Sequence, residues 1–302
     1  MPSLCALRQS YTELQLCDCL LRAAQTRERR DGVYARRPNW VKVRQALVRV
    51  PLALFKIDRD VVISTALKVL PAFDRLLMRF SAIEEQEVLP NDLFRWIPYL
   101  ENNAPAIRAE AERLLRDRMS VPSIRDVSPD HHKIAVDDKW RSFFLWGYGI
   151  KIEPNCARCP ETARILENIP GLLTAFYSVM LAGAHVPRHT GPTKAILTAH
   201  LGLIVPSERE KCHMQVGAKN MIWQDGRIFV FDDMFPHEVW NDTSEDRIIL
   251  LLHLKRPLRF PGSAIRDLFF AALRASPFVR DGLENLERWD KKNPARAEAQ
   301  TS

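Results

Sequence analysis

The segment HVPRHTGPTKAILTAHLGL, residues 185–203, holds three of the chain's eight histidines in a stretch that otherwise has the composition of a buried strand. Side chains two apart on a strand share a face. Ile196, Thr198 and His200 therefore look one way and Leu197, Ala199 and Leu201 the other, which turns His200 toward solvent or into a pocket. His189 is expected in a loop just ahead of that strand, between Pro187 and the Gly191-Pro192 turn. Further on, DDMFPHEVWNDTSEDRIILLLHL puts His237 after Pro236 and Arg247 at the head of an apolar run. A hairpin across NDTSED would aim both into one cavity. Neutral imidazoles from His189 and His237 can hold iron, zinc, copper or nickel. Arginine is the side chain that grips a carboxylate through paired hydrogen bonds. The chemistry in view is a metal ion beside a small carboxylate-bearing molecule. His131, His132, His213 and His253 carry no spacing signal and are read as structural, and His185 is left without a role.

These side chains need a frame, and the chain supplies one in two parts. Apolar residues recur at three and four spacing in DVVISTALKVLPAFDRLLMRF and again after Pro90, where Pro105 suits the first turn of a helix running to about Met119. After Phe176 the pattern changes to short apolar segments separated by turn residues: FYSVML, AILTAHLGLIV, KCHMQV, GRIFVFDD and RIILLLHL. Such spacing predicts antiparallel strands in a sandwich or barrel. SAIRDLFFAALRAS then reads as a helix ahead of a charged tail. The expected divisions are a helical region at 1–89, the main domain at 90–260, and a C-terminal helix and tail at 261–302.

Apolar residues make up 46% of the 302 and charged residues 27%, the balance of an ordinary globular protein with a sizeable core. The net charge of +7 is concentrated in RERRDGVYARRPNWVKVR, residues 27–44. That run could meet an anionic membrane surface or an acidic carrier protein. Since no nucleic-acid fold signature accompanies it, nucleic acid is not expected. The uncharged stretch 169–187 contains Pro170, Gly171, Gly183 and Pro187 and reads as buried core, not as a membrane span. Residues 1–30 lack a secretory pattern, so a cytoplasmic protein is expected, at most peripheral at the inner face of a membrane. Six cysteines without a regular framework point to reduced thiols. The single CxxC pair, Cys156 and Cys159, lacks the partner motif of a zinc site.

FYSVMLAGAHVPRHTGPT, HLGLIVP, WQDGRIFVFDDMFPHEVWNDT and EDRIILLLHLKRP, in that order, resemble the aspartyl/asparaginyl β-hydroxylase family of iron(II)- and 2-oxoglutarate-dependent oxygenases. The likeness covers roughly Trp140 to Pro257 and reaches back weakly to about Pro90. It implies an α+β fold with a mainly β core, a double-stranded β-helix or jelly-roll, cupin-like barrel flanked by N- and C-terminal helices. It also implies a dioxygenase that uses Fe(II), O2 and 2-oxoglutarate to hydroxylate an unactivated carbon. By the same resemblance His189 and His237 match the iron ligands and stand with Arg247 as the catalytic set. Ser178, His200 and Arg247 match the residues that bind 2-oxoglutarate.

Where the wider superfamily has a metal-binding carboxylate two residues after the first histidine, this chain has Gly191, as the resemblance implies. Asp232 and Asp233 are the protein candidates for a third ligand, with a structural role preferred for both. The substrate expected first is an amino acid, peptidyl or carrier-protein-bound, of aspartyl/asparaginyl type. However, two arginines that grip carboxylates in peptide-aspartyl hydroxylases are here Ile196 and Thr198. A branch that hydroxylates lipid A acyl chains is resembled in KWRSFFLWGYG and RIILLLHLKRPLRF, which makes a lipid acyl chain the alternative. From other classes come a non-catalytic β-barrel binding module and, more distantly, a zinc hydrolase.

Overall fold

A computed structural model describes residues 59–116, 121–128, 131 and 134–292. The basic run 27–44, His132 and most of the expected 1–89 region lie outside the described residues. The elements in chain order are α1 (Arg59–Met78), β1 (Val88–Leu89), α2 (Ile97–Asn102), α3 (Ala104–Leu114), α4 (Ile124–Val127), β2 (Trp140–Gly147), β3 (Ile150–Lys151), α5 (Glu153–Arg158) and α6 (Pro160–Leu166). They continue with β4 (Leu172–Met180), β5 (Ala184–His189), β6 (Ile196–Ile204), β7 (Cys212–Val216), β8 (Lys219–Ile222), β9 (Ile228–Phe231), β10 (His237–Asn241), β11 (Arg247–Lys255), α7 (Gly262–Arg274) and α8 (Pro277–Lys292).

The strands form two antiparallel sheets, one of seven in the order β1-β9-β6-β11-β4-β2-β3 and one of four in the order β5-β10-β7-β8. From β4 onward the chain changes sheet at every connection except that between β7 and β8, so sequential strands wind alternately through the two sheets as a double-stranded β-helix does. The fold is thus α+β with a mainly β core of jelly-roll type.

RIILLLHL is almost continuously apolar because β11 is central and buried on both faces. Ile248, Leu250 and Leu252 enter a core shared with the helices, where Ile97, Leu100, Ile107 and Leu114 cover the large sheet. Ile249 and Leu251 enter a second core between the sheets with Phe176, Val186, Met214, Trp223 and Phe231. Burying each Leu or Ile side chain is worth about 2 kcal/mol. A third cluster joins Leu77 of α1 and Phe270 of α7 to Leu173 and Ile196 at one end of the barrel.

Several local expectations shift. His189 is the last residue of β5, not a loop residue. NDTSED does not close a hairpin: β10 pairs with β5 and β7 in the small sheet, while β11 pairs with β4 and β6 in the large one. WRSFFLWG is a strand, β2, and residues 277–292 form a helix in place of a charged tail. Pro98 and Pro105 both sit in first helical turns, where a missing N–H costs nothing.

Cys156 and Cys159 are buried and free, and burial pushes both thiols up to about 12. Such thiols are poor nucleophiles and poor metal ligands at neutral pH. Among the described residues, no helix is long and apolar enough to cross a membrane.

Candidate functional site

The end of β5 and the start of β10 bring two histidines together. His189 and His237 are register partners, and their ring centroids lie 4.1 Å apart. Each is held the same way, by the carbonyl two residues earlier in its own chain. Nδ1 of His189 is 2.8 Å from the Pro187 oxygen and Nδ1 of His237 is 3.0 Å from the Phe235 oxygen. A carbonyl only accepts, so each Nδ1 must donate, which leaves the Nε2 of each neutral ring as a lone pair. Burial lowers the pKa of His189, and burial followed by the neighbouring His189 brings His237 down to about 4. Paired neutral imidazoles with fixed tautomers and free Nε2 atoms suit a divalent transition-metal ion. Among the described residues, no group of three His, Cys, Asp or Glu side chains gathers closely enough to hold a metal.

Two adjacent carboxylates at the end of β9 have different surroundings. Asp232 is fully buried, and its Oδ2 accepts from Arg256 and from Lys194 Nζ at 2.9 Å. Its Oδ1 accepts from the Met234 backbone N–H at 3.1 Å. Lys194 follows His189 on the loop into β6, Arg256 directly follows β11, and Met234 lies on the turn leading to His237. Asp232 thereby ties both histidine-bearing segments to the large sheet.

Asp233 instead faces Gly191. Its Oδ2 accepts from Thr198 Oγ1 at 3.0 Å, while its buried Oδ1 has no hydrogen-bond partner. Burial raises this carboxyl to about 7. A Cβ at residue 191 would overlap it, so glycine stands where a side chain would collide with Asp233. Asp232 is structural, as preferred from sequence. Asp233 keeps one free acceptor beside the position of the missing carboxylate.

Deeper in the barrel the polar groups are buried but not satisfied. Arg247 is 2% exposed, and no carboxylate pairs with it among the described residues. Its guanidinium lies 4.6 Å over the Trp223 ring, Nη2 reaches Ser178 Oγ only at 3.4 Å, and Nε has no partner. Burial lowers its pKa to about 10. His200 Nδ1 and Trp223 Nε1 are likewise buried without partners. His200 is held well below the usual histidine range, by burial first and then by Arg247 and His237. Ser178 Oγ accepts from Trp140 Nε1 at 3.0 Å.

A buried cation without a counter-charge costs several kcal/mol, and an anionic ligand removes that cost. Phe231 joins the two halves, with ring centroids 5.0 Å from His200 and 5.6 Å from His237. Arg247, Ser178 and His200 thus gather in one buried polar cluster around Trp223, next to the His189–His237 pair.

Other residues nearby carried no local signal. Trp140 and Trp223 read as ordinary core aromatics. Burial takes His131 and His253 down to about 4, with His189 acting on the former and His131 and His237 on the latter. Both belong to the neighbourhood of the pair, which their isolated positions in the sequence did not reveal. His185 has an explanation away from the site: its Nε2 lies 2.8 Å from Glu238 Oε1, and its ring stacks on Trp240.

The family model described as aspartyl/asparaginyl beta-hydroxylase matches residues 101–257, a span that contains all of these groups. The chain is 36% identical over 226 residues to an ornithine lipid ester-linked acyl 2-hydroxylase of Rhizobium tropici, covering 75% of this chain and 80% of that protein. It is 35% identical over 134 residues to the human aspartyl/asparaginyl beta-hydroxylase, covering 43% of this chain and 17% of that one. With the human aspartate beta-hydroxylase domain-containing protein 2 it shares 30% identity over 172 residues, 53% of this chain and 44% of the relative.

Proposed function

Because the chain belongs to the aspartyl/asparaginyl β-hydroxylase family, we propose that it is an iron(II)- and 2-oxoglutarate-dependent dioxygenase that hydroxylates an ester-linked fatty acyl chain of a lipid. The carrying observation is the pair of neutral imidazoles, His189 and His237, whose Nδ1 atoms are occupied by backbone carbonyls. These two residues would hold the iron. When bound, iron and 2-oxoglutarate supply the oxidising power that inserts one oxygen atom of O2 into a C–H bond, with succinate and carbon dioxide as co-products.

The chain's own residues bind and orient. Arg247 neutralises the far carboxylate of 2-oxoglutarate in a pocket closed to water, with Ser178 as a further polar partner. His200 Nδ1, buried and unpaired, is a second group available to the co-substrate. Asp233 Oδ1 is the acceptor available to a water molecule beside the imidazole pair. The rings of Phe229, Phe231 and Trp223 around His200 exclude bulk solvent.

The acyl substrate is favoured by what surrounds positions 196 and 198. Ile196 packs with Leu77, Leu173 and Phe270, and Thr198 donates its hydroxyl to Asp233. Lys194 is committed to Asp232 and Glu85, so its charge is already balanced. A peptidyl or carrier-bound aspartyl carboxylate finds no free cation in these groups, whereas an alkyl chain needs none. The similarity to the acyl 2-hydroxylase also runs over more of this chain than that to the human aspartyl/asparaginyl beta-hydroxylase.

The test is succinate formation by the iron-loaded protein with an acyl lipid or an aspartyl peptide, and mass spectrometry of each candidate product. Lipid-dependent succinate and a hydroxylated acyl chain are expected. A hydroxylated peptide with unmodified lipid would overturn the acyl assignment and leave the reaction class standing.

A further inference from the structure

We propose that the outer face of the α1–α7 helix pair is a docking surface for an anionic lipid bilayer. The two helices run antiparallel. Gly262, at the start of α7, lies so close to Phe80, just past the end of α1, that a Cβ would overlap that ring. Seven residues along each helix, Phe73 and Phe269 meet with ring centroids 4.7 Å apart. The inward faces are accounted for by the barrel, since Leu77 and Phe270 are buried against Leu173 and Ile196.

The outward faces are apolar as well, which the fold itself does not need. Val69 is 57% exposed, Leu76 39%, Leu268 72% and Phe260, just ahead of α7, 67%. Val69, Ala72 and Leu76 stand at i, i+3 and i+7 and form one stripe along α1. Ala264, Leu268 and Ala271, at i, i+4 and i+7, form the matching stripe on α7.

The charges beside these stripes select the partner. Lys68, Arg75 and Arg79 fall at i, i+7 and i+11, on a line next to the apolar stripe of α1, and all three are exposed. Arg259 precedes Phe260 and is exposed too. The acidic side chains at described positions of the two helices are already engaged. Asp74 is buried and turned inward, and Asp267 is paired with Lys255 and Arg266. An apolar band with cations along its edge matches the boundary between acyl chains and anionic headgroups, where long basic side chains keep their charge in the headgroup layer. A protein partner burying the same stripe would have to answer these cations with acidic side chains at matched positions. A fluid anionic surface answers them without that requirement.

The surface is also close to the chemistry. Asp74, on the inner side of α1, accepts from Thr193 Oγ1 at 2.6 Å and from the Lys194 backbone N–H at 3.0 Å. Those residues lie on the loop between His189 and β6. Docking would therefore bring the imidazole pair near the bilayer. The inference that an acyl chain enters from this side rests on the proposed function, whereas the docking surface does not.

The experiment is co-sedimentation of the full chain with vesicles of phosphatidylcholine alone or mixed with phosphatidylglycerol. The wild type is expected to sediment with the mixed vesicles and to stay in solution with the neutral ones. R75E/R79E should weaken that partitioning by at least about 25-fold, taking about fivefold per basic charge. F260S/L268S should weaken it as well, with thermal midpoints unchanged in both variants. Wild-type protein that ignores anionic vesicles overturns the proposal. So does undiminished binding by both variants, which would place the contact elsewhere, for example in 27–44. A wild type that dimerises in solution while F260S/L268S is monomeric overturns it in favour of a second copy as the occupant. Succinate formation with detergent-solubilised acyl substrate is measured in parallel. Loss of sedimentation with retained turnover isolates the docking surface, and retained sedimentation without turnover counts against the proposed function alone.

Discussion

The two halves of the candidate site are built on different principles. On the small sheet, His189 and His237 have their Nδ1 hydrogen bonds satisfied by carbonyls two residues away. On the large sheet, Arg247 Nε and His200 Nδ1 are buried and unsatisfied. The first half is finished locally and presents lone pairs for a cation. The second is left unfinished, and under the proposed function the carboxylate of 2-oxoglutarate would complete it. A buried guanidinium without a counter-charge is costly by itself, and an anion bound beside it offsets that cost.

The change that should break both halves together is Asp232→Asn. It leaves Arg256 and Lys194 without their shared counter-charge, which costs about 3–5 kcal/mol. Denaturant unfolding should show the loss, and metal and 2-oxoglutarate affinity should fall in parallel. Arg247→Met should separate the halves. Calorimetry should find 2-oxoglutarate weakened by about a hundredfold or more, the value of lost charge-assisted bonds, with metal affinity unchanged. His237→Ala is its mirror: metal binding is lost, while thermal unfolding stays cooperative.

A finer test concerns the space over Gly191. Gly191→Ala should destabilise by about 1–3 kcal/mol through overpacking against Asp233. Asp233→Gly in the same chain should recover much of that loss, giving a coupling visible in a double-mutant cycle.

The smallest expected effect is on acid stability. In the metal-free protein His131, His237 and His253 titrate near 4, against 6.5 for the ordinary side chain. As the pH falls below about 6.5 the unfolded chain takes up protons that the folded chain refuses, so stability falls from there down to about pH 4. Above that window their contribution is fully present. Thermal midpoints across it should fall less steeply in His253→Gln than in the wild type.

The same contrast explains what could be read from the sequence. The histidine pair and Arg247 stood out because a charged or metal-binding residue inside an apolar run is conspicuous. The strands β4, β6, β9 and β11 were legible as apolar segments bounded by turns. What sequence could not reveal depended on the crossing of the two sheets. NDTSED looked like a hairpin, yet it carries the chain from one sheet to the other. Trp223, Trp140 and His253 matter through neighbours far along the chain. Asp232 and Asp233 are adjacent and identical in type, and only the fold separates a clamp from a free acceptor. The absence of cations at 196 and 198 is plain in the sequence, whereas the pairing of Lys194 with Asp232 and Glu85 arises only from the fold.

The measurement that tests the central claim most directly is an anaerobic titration of the iron(II)-loaded protein with 2-oxoglutarate, followed by visible absorption. The account predicts a weak metal-to-ligand band that saturates with 2-oxoglutarate in the wild type and is lost in Arg247→Met, whose iron content is unchanged. Folded, iron-loaded wild-type protein that develops no band and takes up no 2-oxoglutarate would contradict the joining of the two halves into one oxygenase site.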